Sequence, residues 1–171
     1  MRLSRQSDGL GVVLGSLWWP RPYYPTRVER AALVATALPR WAVASGSTAA
    51  WVWCGFGYAE PWCVLRHQTP AISPLERTRW AALTLNPAHH TVENLAGLAL
   101  LGVRDTVREV LLGMGSIDVA AAQVWALTRE DHGALWHLCT QKRASALQRH
   151  HAERVLRRVD QLRDNYPDIT R

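Results

Sequence analysis

A chain of 171 residues with 48% hydrophobic and 20% charged residues can bury a full core, which excludes a disordered tail and a disulfide-stapled miniprotein. Twenty Lys and Arg against 14 Asp and Glu give a net charge of +6, which permits contact with phosphate backbones without demanding it. Three cysteines with no CxxC spacing exclude a disulfide framework and offer no zinc motif, so free thiols are expected.

The pools are skewed. Lys142 is the sole lysine, and nine Trp stand beside one Phe. The Arg and Ala excess over Lys fits GC-rich coding as well as selection for Arg contacts. The apolar run near the N-terminus is too short for a signal peptide, and Leu95 to Val103 is too short to cross a bilayer. The expectation is a cytoplasmic protein with no membrane contact, no cofactor and no metal.

Residues 1–25 are punctuated by Gly9, Gly11, Gly15, Pro20, Pro22 and Pro25 and read as an irregular Gly/Pro/Trp-rich arm before one domain over 26–171. Thr26-Arg27-Val28-Glu29 is a capping box opening a helix, with Val28, Ala31, Ala32, Ala35 and Leu38 on its apolar stripe and Pro39 at its end. Trp41 to Ser45 reads as a buried strand. Ser47 to Trp53 reads as a short helix of small residues closed by Gly55 and Gly57. Trp41, Gly46, Trp51, Trp53 and Gly55 are the core-structural residues of this segment. On that reading Ser47→Leu or Gly46→Val overpacks the core at a cost of about 1–3 kcal/mol.

Pro61 to His67 is strand-like. Ser73-Pro74-Leu75-Glu76 signals a helix start, yet Arg79 to Leu85 reads as a strand, and the strand is preferred. Val92 to Leu101 reads as a strand bent at Gly97. Helices follow at Arg104–Leu112, Ile117–Leu127, from Thr128-Arg129-Glu130-Asp131 onward, and Ala144–Asp164 with Leu147, Val155, Leu156, Val159 and Leu162 as its stripe. The fold class is therefore α+β: a small mixed sheet of three to five short strands within about 40–102, and a helical C-terminal half over about 103–165.

No complete catalytic motif stands out. Gly46, Gly55 and Gly57 match neither phosphate-loop pattern. Ser45, Ser47 and Thr48 lack a GxSxG context and read as capping residues. The histidine pairs His89-His90 and His150-His151 are adjacent and diverge on a helix, and His132 and His137 are poorly placed to chelate. Asp105 and Glu109, beside Arg104 and Arg108, read as a solvated, salt-bridged helix face. Arg143, Arg149, Arg154, Arg157 and Arg158, with Arg163, form the densest basic cluster and are the candidate nucleic-acid contacts. Arg143 and His150, with six residues between them, resemble the Arg-His signature of HEPN helical ribonucleases, which makes them the candidate catalytic pair.

The stretch from RVERAALVATALPRWAVASGSTAAWVWCGFG through PWCVLRH to VRDTVREVLL resembles the non-DNA-binding part of AbiEi-type antitoxins of type IV toxin–antitoxin systems and their uncharacterised actinobacterial relatives. In that family a strand leads into a small-residue helix containing Ser, and a later helix carries Thr near Arg, matched here by Thr106 and Arg104. The winged helix-turn-helix with which those antitoxins usually begin does not fit the residues before Thr26. The resemblance thus implies a non-enzymatic regulatory or antitoxin-like module acting through protein contact, its partner a toxin-like protein or a second copy of itself. The rivals are a nucleic-acid binder using the C-terminal Arg helix and an RNA-cleaving enzyme using Arg143 and His150.

Overall fold

A computed structural model of the chain describes residues 11–14, 17–20, 25–59, 63–66, 75, 80, 83–85, 89–140 and 144–165. It is an α+β fold. In chain order the elements are β1 (Gly11–Leu14), β2 (Leu17–Pro20), α1 (Arg27–Ala37), β3 (Ala42–Ala44), α2 (Gly46–Cys54), β4 (Val64–Arg66), β5 (Leu83–Thr84), β6 (Val92–Leu95) and β7 (Leu98–Leu101). Then come α3 (Val103–Leu112), α4 (Ile117–Leu127), α5 (His132–Thr140) and α6 (Ala146–Asn165). Strands β1 and β2 pair antiparallel as a separate hairpin, so the lead-in expected to be irregular carries regular structure.

The main sheet runs β5-β4-β3-β7-β6 and is mixed. Strand β3 pairs antiparallel with β4 and parallel with β7, and β4 pairs parallel with β5. The period-2 rule sorts its side chains. Ala42, Ala44, Val64, Leu98 and Leu100 share one core with Ala31 and Val34 of α1, its C-cap Leu38, and Val52 of α2. Val43, Leu65 and Leu101 point to the opposite face, where they pack with Leu85. A third and larger core lies among α3, α4, α5 and α6, and Ala50 of α2 belongs to it.

The capping box at Thr26 forms as the sequence requires: Thr26 Oγ1 accepts the Glu29 amide at 3.3 Å, and Glu29 Oε2 accepts the Thr26 amide at 2.8 Å. The stripe of α1 is nonetheless displaced, since Val28 and Ala32 are exposed and Val34 is fully buried. A second box, unforeseen, opens α6. Ser145 Oγ accepts the Gln148 amide, and Gln148 Oε1 accepts the Ser145 amide. The stripe of α6 omits Leu147, which is exposed, and adds the buried Ala152. Helix α5 begins later than Thr128, with Asp131 Oδ1 accepting the Ala134 amide at 2.8 Å.

Two strand expectations need correction. Among the described residues of 79–85, Trp80 is helical and Leu83–Thr84 is extended; Leu75 is helical too, so the helix-start signal before it was informative. Val92–Leu101 is a hairpin of two antiparallel strands instead of one bent strand. Its turn is Ala96-Gly97, with φ of 50° and 81°. Positive φ at both central residues is the type I′ geometry, which matches the twist of the strands but disfavours an alanine Cβ. Ala96→Asn, which tolerates this conformation, is therefore expected to stabilise the protein by about 0.5–1 kcal/mol. Urea unfolding followed by tryptophan fluorescence reads the shift in midpoint.

Candidate interaction groove

Helix α2 is built from residues small enough to be enclosed. Thr48, Ala49, Ala50 and Val52 are each 0% exposed. Trp41, Trp51 and Trp53 are half-buried and pack against the sheet-side core, so the segment RWAVASGSTAAWVWCGFG is structural along most of its length. Thr48 Oγ1 donates to the Ala59 carbonyl at 2.7 Å and accepts the Cys63 amide at 2.8 Å, tying α2 to the chain that returns into β4. Trp53 Nε1 donates to the Leu101 carbonyl at 2.9 Å, which also accepts the Thr106 hydroxyl at 3.0 Å.

The C-terminal end of α2 is closed twice. Gly55 sits at φ 76° and its amide returns to the Trp51 carbonyl at 2.8 Å. Arg30 of α1 reaches across and donates from Nε to the Val52 carbonyl at 2.9 Å and from Nη2 to the Trp53 carbonyl at 3.2 Å. Its Nη1 bonds the Pro25 carbonyl, and the guanidinium stands 6.0 Å from the Trp51 ring centre. A cation at this end complements the helix dipole. Burial pushes the Arg30 pKa down, and it keeps its charge through these bonds.

The N-terminal end is open. Ser45 is extended and its hydroxyl makes no capping bond, and the first turn holds no acidic residue. Gly46 has φ 46°, while a Cβ there would meet Cys63 at an ordinary 3.4 Å. The backbone conformation, and not crowding, therefore selects glycine, which revises the reason Gly46→Val would be costly. Ser47 is half-buried with its Oγ 3.3 Å from Cys63 Sγ, and it lines open space; leucine there would enter a groove instead of overpacking a core.

That groove has a volume of about 620 Å³. One wall is the start of α2 with Val64 and Leu65 of β4; the other is Val110 of α3 and the Gly113–Ser116 turn into α4. Tyr58 (52% exposed) and Met114 (57%) stand at its edges. Ser116, the N-cap of α4, also makes no side-chain capping bond, so two helix N-termini open onto the same space. Glu109, which faces His90 Nε2 at 3.5 Å, is the one charged side chain in the described lining. The polypeptide between Gly55 and Tyr58 is held close to α4. Gln123 Nε2 donates to the Phe56 carbonyl at 3.0 Å, and a Cβ on Gly57 would lie 2.8 Å from Val119 Cγ1.

A polar cleft of about 590 Å³ lies at the start of α3. The side chains expected to form a solvated face there are largely buried: Asp105 is 9% and Arg108 8% exposed. Asp105 Oδ2 accepts the Thr91 amide at 2.6 Å, and Oδ1 pairs with Arg108 Nη2 at 2.9 Å. Arg108 also donates to the His89 carbonyl at 3.1 Å. This network fastens the β6–β7 hairpin to α3, a structural role. Arg104 remains exposed.

Of the candidate residues on α6, Arg149, His150 and Arg154 are exposed, and Arg143 lies outside the described residues. Arg157 is paired with Glu153, and Arg158 Nε with Asp118 Oδ1 at 2.9 Å. The face therefore carries both signs. His151 is buried, with its Nε2 lacking a hydrogen-bond partner among the described residues. Cys54, Cys63 and Cys139 form no disulfide, and burial pushes the Cys139 thiol up to about 11. Among the described residues no three His, Cys, Asp or Glu side chains gather as a metal site, and no helix is long and apolar enough to cross a membrane.

Two outcomes are expected. Arg30→Met should cost about 2–4 kcal/mol, and Arg30→Lys should recover little of it, because a point charge cannot reach three carbonyls in one plane; guanidinium denaturation measures both. Burial first, then the Arg154 charge, depress the His151 pKa below 6.5 in the folded protein. Folding therefore favours the neutral ring. Its contribution is complete above the unfolded value of about 6.5 and is lost as pH falls through the lower folded value. The melting temperature of the wild type should drop on acidification across that window, and His151→Leu should flatten the drop.

Comparison with protein-family models, curated proteins and solved structures finds no match to this chain.

Proposed function

We propose that this protein is a non-enzymatic interaction module, regulatory or antitoxin-like, that takes an apolar segment of a partner protein into the groove beside α2. The observation that carries this reading is the groove itself. Exposed Tyr58 and Met114 flank a trough lined by the buried residues Val64, Leu65, Val110 and Ala120. A contiguous apolar recess open to water is unfavourable unless something covers it. Methionine at its edge adapts to the shape of an incoming side chain. With Glu109 as its one described charge, the lining suits a partner segment that is apolar, not strongly acidic.

The α6 cluster supports a phosphate-binding role less well, since Arg157 and Arg158 already have carboxylate partners. Weak duplex-DNA binding that disappears by about 0.15 M salt is the expected result of an anisotropy titration.

The reading is tested by co-expressing the chain with the products of neighbouring reading frames, the natural source of a toxin-like partner. A complex should form with wild type and weaken at least tenfold in Met114→Glu and Tyr58→Glu, both at exposed positions, with melting curves of the variants reporting the fold. Arg149→Glu with Arg154→Glu should leave it unchanged. Complexes indifferent to the groove substitutions, or lost in the α6 pair, would contradict the proposal.

A further inference from the structure

We infer that the partner segment entering the groove is a polypeptide C-terminus, its free carboxylate seated at the start of α2 and its last side chain, an apolar one, in the recess. This rests on the reading of the groove as the interaction site.

Three observations converge. First, the amides of Gly46, Ser47 and Thr48 precede the first intrahelical bond of α2, in which Ala49 donates to the Ser45 carbonyl at 3.1 Å, so they have no acceptor within the helix. Neither an acidic first-turn residue nor a capping side chain supplies one. Second, Ser45 is 5% exposed and lines the groove, and its hydroxyl makes no capping bond, so it is available to an acceptor placed there. Third, Ser116 places the uncapped start of α4 on the same space. Asp118 in that first turn is drawn away by Arg158 at 2.9 Å.

The charge of the head group follows from the lining. Helix N-termini favour an anion, each acting as about half a positive charge. A phosphate dianion calls for arginine or lysine, and the described lining has neither, while Glu109 adds a negative charge. A carboxylate, with one charge and two acceptor oxygens, suits backbone amides and a serine hydroxyl. The body of the ligand follows from the walls, where Val64, Leu65, Val110 and Met114 offer no polar partner. A volume of about 620 Å³ accommodates two or three residues.

The test is calorimetric titration of the full chain with acetyl-Gly-Ser-Gly-Ser-Val-Leu as the free acid and as the C-terminal amide. The free acid should bind, and amidation should weaken binding at least tenfold. Ser45→Ala should weaken the free acid at least threefold and leave the amide unaffected, with an unchanged melting curve. Met114→Glu, an exposed change, should abolish binding of the free acid even if Ser45→Ala proves poorly folded. Equal binding of acid and amide would overturn the carboxylate inference and leave the groove reading standing. So would failure of both peptides while the partner complex still depends on Met114. A carboxylate preference that survives both substitutions would place the site elsewhere and overturn the inference. If the partner complex also ignores Met114→Glu, the groove reading fails independently.

Discussion

The enclosure of α2 is the constraint on which the rest depends. A helix of nine residues is too short to be stable alone and must be held by its surroundings. Here it is held from two sides. Val52 packs with α1 and the sheet, and Ala50 packs with α3 to α6. One short helix therefore joins the strand-bearing half to the helical half. Its alanines and Thr48 permit that close approach, because larger side chains would separate the two cores.

The ends of α2 differ for a related reason. Its C-terminal carbonyls point toward α1, where Arg30 satisfies two of them while also holding the Pro25 carbonyl. At the other end the chain emerges from β3 through Ser45, whose amide is committed to the Cys63 carbonyl and whose hydroxyl is not committed. A rigid helix with one end satisfied and the other open is a suitable base for a binding site, since its geometry is set by packing remote from the ligand. The neighbouring junctions add stiffness. The Leu101 carbonyl takes bonds from both Trp53 and Thr106, and Asp105 anchors Thr91 and Arg108 together.

What could be read from the sequence was mainly local. The Thr26 box, the Gly55 cap and the run of helices after Val103 announce themselves within a few residues, and the α+β class follows from them. What escaped was of two kinds. Ala96 at φ 50° breaks a local rule, so the turn at Ala96-Gly97 looked like a bend in one strand. Arg30, Asp105 and Arg108 act through partners far along the chain: Arg30 bonds a carbonyl 22 residues away, and Arg108 one 19 away. Charged residues at helical spacing look alike whether they face water or a buried carbonyl. The groove was illegible for the same reason, since its walls come from β3–α2, β4 and the α3–α4 turn. Ser45 was read as a cap and Gly46 and Ser47 as tight packing; packing holds for the body of α2, but at its open end Ser45 makes no capping bond and Ser47 lines the groove.

The proposed interaction role rests on the groove, on its shape and on the open hydrogen-bonding groups at the start of α2. That proposal depends on α2 presenting its N-terminus to a partner. The most direct measurement is the movement of individual amide resonances in proton–nitrogen correlation spectra as the free-acid peptide is added. The account predicts that Gly46, Ser47 and Thr48 shift most, downfield in the proton dimension, as amides do when they gain an anionic acceptor. Shifts centred on Arg149 to Arg158 of α6, or an unmoved α2, would contradict it.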